Sequence, residues 1–177
     1  NAIQEIQNLN TINVDQIDSV EAKVPSLTHH LVGGPIHDAM EISYARLNGQ
    51  YAASIMLQKH FIDIDDFTID AIRNKGSLDL ARKVHIKIDD NPDPNALSPV
   101  EVEIRMENGE KFFKRLDTVY GNPNKPLTRD AHLAKFRRNW QASAISLPIE
   151  DGEEIIKIID NLEEIEDIRV LIDLATG

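Results

Sequence analysis

Two stretches of alternating apolar and polar residues, joined by Asn108-Gly109, constrain the fold of this 177-residue chain more than any other feature. Residues 100–106 place an apolar side chain at every second position, as expected of a strand with one buried face. Asn-Gly is typical of a tight hairpin turn, because both residues accept positive φ. The sequence therefore predicts a pair of antiparallel strands on either side of this dipeptide.

The register across this hairpin has two alternatives. A strict two-residue turn would direct Lys111 and Arg115 towards the apolar face. One extra residue in the turn would instead place Phe112, Lys114 and Leu116 there. The second arrangement buries a single charge and the first buries several, so a bulged or three-residue turn is favoured.

Periodicity divides the rest of the chain into further elements. Apolar residues at helical spacing predict an opening helix, and alternation predicts a strand over residues 17–24 that ends at Pro25. Residues 26–43 lack periodicity and contain Gly33-Gly34, so they predict a long loop, a class that is more often functional than structural. A further strand is predicted from Val84. Helices are predicted over residues 44–59, 65–73 and 77–83, and three more are predicted to start after Thr128, after Asp151 and after Asp167.

These elements predict an α+β fold. Strands and helices are segregated and no βαβ repeat is visible, so we expect a two-layer sandwich of helices on an antiparallel sheet of about four strands. Residues 1–145 would form this small domain. Residues 146–177 would form a C-terminal helical segment that packs on a helical domain outside the chain. The opening helix has no capping residue before it, which suggests a missing N-terminal region.

Composition excludes several classes of protein. The net charge of −11 argues against a general nucleic-acid binder, although residues 111–138 hold eight basic and only two acidic residues. No apolar run approaches the roughly 18–20 residues that cross a bilayer, and the first residues are not a signal peptide. The absence of cysteine excludes a disulfide framework and a thiolate metal site, and it is consistent with the cytoplasm. No phosphate-binding loop or nucleophile elbow is present, and we expect no cofactor.

Six motifs follow one another along the chain. They are Ser19-Val20-x-x-Lys23-Val24-Pro25, Ala45-Arg46-x-x-x-Gln50-Tyr51-Ala52-Ala53, Asp117-Thr118-x-Tyr120-Gly121, Lys125-Pro126-Leu127-Thr128, Lys135-Phe136-Arg137 and Asn161-Leu162-Glu163-x-x-x-Asp167. Motifs of this kind in this order resemble the MmgE/PrpD family of 2-methylcitrate dehydratases, cis-aconitate decarboxylases and iminodisuccinate epimerases. The Gly-His-Arg-Arg-Arg-Arg run of bacterial propionate-pathway dehydratases is absent, and the decarboxylase branch is the most similar.

The resemblance implies a cofactor-independent lyase that removes water or carbon dioxide from a small di- or tricarboxylate, with an epimerase of the same family as an alternative. The site would lie between a helical domain and this one, and the enzyme would be a cytoplasmic homodimer. A lysine and a histidine that carry much of the chemistry would precede residue 1. This chain would then contribute the lid and substrate contacts, and it would be inactive alone.

The same resemblance provides candidate site residues. His29 stands where the decarboxylase branch has a tyrosine after its first strand, and His30 is the candidate if that comparison is shifted by one position. Imidazole can donate a proton or hydrogen bond to a carboxylate, but a solvated loop histidine is an equal alternative. Arg46 and Lys125 are candidate ligands for substrate carboxylates. Histidines in a loop without a carboxylate–histidine pattern predict no metal site, and Tyr51 is expected in the core.

A second hypothesis is a non-catalytic interaction or dimerisation domain. The terminal helices carry more aliphatic residues than one small sheet needs, and a contiguous exposed apolar patch usually marks an interface. A third hypothesis, a nucleic-acid module that uses the basic segment, conflicts with the acidic net charge. The aliphatic residues in question are Ile155, Ile158, Ile159, Leu162, Leu171 and Ile172.

Overall fold

A computed structural model describes all residues from 1 to 177, and the chain forms two compact units. Unit 1 is Asn1–Pro126 and unit 2 is Leu127–Gly177. The division at residue 145 was predicted for the domains of a longer protein, and it stays a prediction. None of the helices is both long and apolar enough to cross a membrane.

Unit 1 contains six helices, four strands and two short 3-10 turns. In chain order they are α1 (Ala2–Leu9), a 3-10 turn (Val14–Gln16), β1 (Ile17–Val24), α2 (Ser26–Val32), α3 (Ile42–Arg46), α4 (Gly49–Lys59), a 3-10 turn (Ile64–Phe67), α5 (Ile69–Ile72), α6 (Lys75–Arg82), β2 (Val84–Ile88), β3 (Val100–Met106) and β4 (Lys111–Leu116).

The four strands form one sheet in the order β2-β1-β3-β4. This confirms the α+β class and the number of strands, but the sheet is mixed. β1 pairs with β2 in parallel, with Val20 opposite Val84, whereas the β1–β3 and β3–β4 pairs are antiparallel. The expectation of a fully antiparallel sheet without a βαβ unit is therefore wrong. A parallel pair requires a crossover connection, and helices α2 to α6 supply it.

The hairpin between β3 and β4 has the register with one extra residue in the turn. Ile104 lies opposite Phe112, and Val102 lies opposite Lys114. The Met106 amide donates to the Glu110 carbonyl at 2.9 Å, so three residues form the turn. Gly109 has φ +85° there, a conformation that a side chain would disfavour. The prediction of a three-residue turn is confirmed.

The core of unit 1 consists of two clusters that meet at α4 and α6. The first lies between one face of the sheet and helices α1, α4 and α6, and Ile104 is fully buried within it. The second surrounds Tyr51, which is also fully buried, between α3, α4, α5 and α6. The predicted core position of Tyr51 is confirmed.

Two predicted elements around the second cluster differ from the structure. Residues 26–43 are not one long loop, because Ser26–Val32 forms α2 directly after Pro25. The helix predicted over 44–59 is broken into α3 and α4. Asn48 accepts a hydrogen bond from the Tyr51 amide at 2.9 Å and so starts a new helix. Leu47, predicted to face inward, lies in the break and is 64% exposed.

Unit 2 contains three helices, α7 (Arg129–Gln141), α8 (Ile149–Asp160) and α9 (Arg169–Thr176), and a 3-10 turn at Leu162–Glu164. Thr128 caps α7 by accepting from the Ala131 amide at 3.2 Å, as predicted. The helix predicted to start after Asp151 begins earlier, at Ile149, directly after Pro148. Proline is well tolerated at the start of a helix because no intrahelical partner is lost there.

Candidate functional site

The four candidate site residues lie on three separate segments of unit 1. His29 and His30 are on α2, Arg46 is the last residue of α3, and Lys125 follows β4. No hydrogen bond, ion pair or ring contact joins any two of them. The structure therefore does not assemble them into one contact network, and each is considered in its own surroundings.

α2 begins where β1 ends, because Pro25 cannot continue the ladder of hydrogen bonds in the sheet. His29 is half-buried and His30 is exposed. Successive helical residues point about 100° apart, so the two imidazoles face different directions. α2 packs against β2 and has no fully buried side chain. His29 thus projects from a helix with a fixed start, whereas the sequence had predicted a loop.

Residues 33–35, called the strap below, follow α2 and are held from two sides. The Asn48 amide Nδ2 donates to the Gly34 carbonyl at 2.8 Å. The Tyr44 hydroxyl donates to the Pro35 carbonyl at 2.8 Å. A side chain at Gly34 would be excluded, since its Cβ would lie 2.5 Å from the Tyr44 hydroxyl oxygen. The strap is a closely packed connection between α2 and the start of α4.

Arg46 is exposed and makes no ion pair. An unpaired guanidinium can bind a carboxylate through two parallel hydrogen bonds, which makes it suited to an acidic ligand. No group of three or more histidine or acidic side chains is arranged so that it could hold a metal ion. His37 instead packs on Tyr44, with ring centroids 4.9 Å apart.

Lys125 belongs to a different cluster, in which two lysines share one carboxylate. Its Nζ lies 2.7 Å from Glu5 on α1, and Lys114 Nζ lies 2.5 Å from the other oxygen of Glu5. Lys125 also lies over the Tyr120 ring, 4.4 Å from the centroid. The hydrogen bond from Lys114, and then that from Lys125, holds the pKa of Glu5 below its ordinary value. The same contact with Glu5 raises the pKa of Lys125.

The cluster of Glu5, Lys114 and Lys125 explains how the single charge on the inner face of the hairpin is tolerated. Lys114 is the cation that the register places towards the helices, and Glu5 neutralises it there. Lys125 brings the residues after β4 to the same carboxylate. In this state Lys125 stabilises the fold. To bind a substrate carboxylate it would have to exchange that ligand for Glu5.

Tyr51 is unsuited to acid–base chemistry. Its hydroxyl donates to the Asp66 backbone carbonyl at 2.7 Å inside the second core cluster. Burial, with a smaller contribution from the Asp66 carboxylate, raises the pKa of Tyr51 to about 12. Asp66 is itself buried and bound by Lys59 at 2.6 Å and by the Asp63 amide at 2.7 Å. This network closes the turn between α4 and α5.

Sequence reasoning missed Asn48 and Tyr44, which connect the candidate helix α2 to the rest of unit 1. The signal for Asn48 was present, since Asn is one of the residues most preferred at a helix N-cap. It was hidden by the apolar periodicity that continues across the break. No sequence pattern indicates that Tyr44 reaches back nine positions to the Pro35 carbonyl.

Comparisons with known proteins add a family assignment to this geometry. Residues 1–169 match the MmgE/PrpD C-terminal domain. The chain is 30% identical over 165 residues to the cis-aconitate decarboxylase of Homo sapiens, and 29% identical over 164 residues to that of Mus musculus. Each alignment covers 92% of this chain but only 33% and 32% of the relatives. The chain thus spans about a third of the length of the curated relatives it matches.

Proposed function

This chain belongs to the MmgE/PrpD family, and we propose on that basis that it is part of a cofactor-independent lyase that acts on a small di- or tricarboxylate. The observation that carries the proposal is the match to the family's C-terminal domain over residues 1–169. The similarity to two cis-aconitate decarboxylases over 92% of the chain favours decarboxylation of a cis-aconitate-like substrate over dehydration.

The chemistry of such a reaction needs two kinds of group. Loss of carbon dioxide leaves an electron pair on carbon, which the remaining conjugated carboxylate accepts before a proton is delivered. Positive charges and hydrogen-bond donors that face that carboxylate lower the barrier, and a positioned acid supplies the proton. The main acid–base residues are expected in a helical domain outside this chain, and unit 1 would act as a lid over the site.

Within that scheme α2 contributes His29 and α3 contributes Arg46. A half-buried imidazole on a packed helix is a suitable donor to a substrate carboxylate. The exposed guanidinium of Arg46 has no internal carboxylate to displace before it binds one from the substrate. Lys125 is the weaker candidate, because Glu5 already holds it.

The test is turnover of cis-aconitate and of 2-methylcitrate by the full-length protein. Release of carbon dioxide measures decarboxylation of the first substrate, and loss of water measures dehydration of the second. His29→Ala is expected to lower kcat/KM by about 100-fold, the usual size of a general acid–base contribution. His85→Ala is the control, since His85 lies exposed on the outer face of β2. Loss of activity in His30→Ala but not in His29→Ala would assign the role to His30.

The 177-residue chain alone is expected to fold but to turn over neither substrate. Measurable decarboxylation or dehydration by the purified chain would contradict a site shared with another domain. Inversion of a stereocentre of 2-methylcitrate by the full-length protein, without loss of water, would identify an epimerase of the same family instead.

A non-catalytic role in association is the second candidate, and it rests on unit 2. Several large apolar side chains of its helices are exposed, among them Ile159 at 55% and Ile172 at 58%. An amphipathic helix without a covered face usually packs on another element. The surface would serve a homodimer or the helical domain. A full-length protein that self-associates but turns over neither substrate would favour this role.

A further inference from the structure

Asn48 is a buried polar side chain whose two amide atoms are both used. It is 2% exposed. Oδ1 accepts from the Tyr51 amide at 2.9 Å and caps α4, while Nδ2 donates to the Gly34 carbonyl at 2.8 Å. The side chain therefore joins the first turn of α4 to the strap that follows α2.

The cap alone does not require asparagine. Serine and aspartate cap helices about as well, because each offers an oxygen to the same amides. Aspartate has no donor, and serine carries its donor and acceptor on one hydroxyl oxygen, so only asparagine caps with one atom and offers the Gly34 carbonyl a donor on another. Leaving a partly buried carbonyl unpaired is costly. The choice of Asn at position 48 is thus explained by the strap and not by the helix start.

The strap also connects Asn48 to the end of α2. The Gly33 amide donates to the His29 carbonyl at 2.8 Å, which closes the last turn of α2. A Cβ at Gly33 would lie 2.6 Å from the same carbonyl oxygen, so the turn is closely packed. A continuous path of hydrogen bonds and covalent bonds runs from Asn48 through Gly34 and Gly33 to His29.

The start of α4 also packs directly on the end of α2. A Cβ at Gly49 would lie 2.6 Å from Ile86 Cδ1 on β2 and 3.2 Å from Val32 Cγ2. The first residue of α4 thus lies directly against the last residue of α2. Tyr44 adds a second attachment at Pro35.

We propose that Asn48 is a positioning residue that fixes α2, and with it the imidazole of His29, through the Gly34 carbonyl. The part of this inference that concerns turnover rests on the proposed function of His29. The part that concerns order in α2 does not depend on any activity, and it can be measured on the 177-residue chain.

The first experiment is amide hydrogen exchange on the chain with Asn48→Ser. This change keeps an oxygen that can cap α4 and removes the amide Nδ2 that donates to the Gly34 carbonyl. Amides in residues 29–35 are expected to exchange about 10-fold faster, as loss of one buried hydrogen bond implies, while α4 stays protected. Asn74→Ser is the matched control, because Asn74 caps α6 through Oδ1 and donates to no distant carbonyl. Unchanged exchange in residues 29–35 would overturn the proposal.

Tyr44→Phe is the second variant, and it covers the case in which Asn48→Ser fails to fold. It removes the bond to the Pro35 carbonyl and leaves the cap of α4 intact. Faster exchange in residues 29–35 is expected again, by a smaller factor because this bond is more exposed. No change in either variant would show that the strap does not order α2.

The second experiment is kinetic and uses the full-length protein. Asn48→Ser is expected to lower kcat about 10-fold with little change in KM. In a protein that already carries His29→Ala, adding Asn48→Ser should lower kcat no further, because the effects of coupled residues are not additive. Additive losses would overturn a role through His29. If His29→Ala is itself fully active, the proposed function of His29 fails, and the exchange result alone decides whether Asn48 orders α2.

Discussion

Units 1 and 2 have similar shares of aliphatic residues along their helices but very different interiors. Unit 1 closes its helices on a sheet and buries two clusters of side chains. In unit 2 only Gly152, Ile155 and Ile158 are buried, and α9 buries no residue. The difference shows that an amphipathic pattern forms a core only when a second layer is present to cover it.

Most of the hydrogen bonds and ion pairs within unit 2 join side chains that are exposed to solvent. Arg137 binds Glu153 through two hydrogen bonds of 2.6 and 2.8 Å, and the Trp140 indole donates to the Pro148 carbonyl at 2.9 Å. Trp140 lies so close to Gly152 that a Cβ there would be 3.0 Å from the ring. Exposed ion pairs contribute little to stability, so the Arg137–Glu153 pair is not expected to add much to that of unit 2.

The sharpest way to break the comparison is a matched pair of substitutions. Ile104→Ala in unit 1 is expected to lower the free energy of unfolding by about 3 kcal/mol, since a fully buried isoleucine leaves a cavity. Ile172→Ala in unit 2 should change it by less than about 0.5 kcal/mol, because the side chain is 58% exposed. Urea titration measures both. Equal losses would show that unit 2 has a core of its own.

The second test compares how the exposed apolar residues of the two units affect self-association. We expect the 177-residue chain to self-associate through the exposed apolar residues of unit 2, and Ile159→Lys with Ile172→Lys to return it to a monomer. Phe113→Lys is the control, because Phe113 is equally exposed, at 60%, but lies on β4 of unit 1. Light scattering distinguishes the species. A wild-type monomer at high concentration would contradict the expectation.

The third test concerns charge. Glu5→Gln in unit 1 is expected to lower the free energy of unfolding by about 1 kcal/mol at neutral pH, because it removes a half-buried partner of two lysines. The folded pKa of Glu5 is depressed from 4.5, so its contribution is complete above pH 4.5 and is lost as the pH falls through the lower folded value. Wild type and variant should therefore converge in acid.

Glu153→Gln is the comparator for this test in unit 2. Its partner Arg137 is about half exposed, so the change should be smaller and should disappear in about 0.5 M salt. A difference between wild type and Glu5→Gln that persists unchanged at low pH would contradict the ionic origin of the effect in unit 1.

The last test concerns the hairpin of unit 1. Gly109→Ala should lower the free energy of unfolding by about 1 kcal/mol, through the cost of positive φ alone. No atom lies within 4 Å of the position its Cβ would occupy, so no clash contributes. Thermal unfolding measures the shift. A loss as large as that of Ile104→Ala would indicate that the turn sets the register of the whole sheet.

The sequence predicted local structure well and long-range pairing poorly. The hairpin register followed from Lys114 and Phe112, because a misplaced register would bury several charges. The parallel pairing of β1 with β2 could not be predicted, since no local pattern records which distant strand a central strand will join. The break at Asn48 was missed because apolar periodicity continues across it, although the residue type itself indicated a cap.

The candidate site shows the same division. His29 and Arg46 were identified from motifs and lie on elements near one another in the chain. Lys125 was chosen for its charge, but its partner Glu5 is more than a hundred positions away in sequence, and only the folded structure brings them together. Residues whose role depends on a single distant contact, such as Asn48 and Tyr44, carry no periodic signal.

The parallel pairing of β1 also has a consequence for the order in which the protein can fold. Val20, in the centre of the sheet, pairs with Val84 on one side and Ile104 on the other. Neither neighbour of β1 is close in sequence, so both of its ladders require closure of a long chain segment. Such topologies fold slowly for their size. The β3–β4 hairpin can form early from local contacts, and β1 pairs with β3 only in a later step.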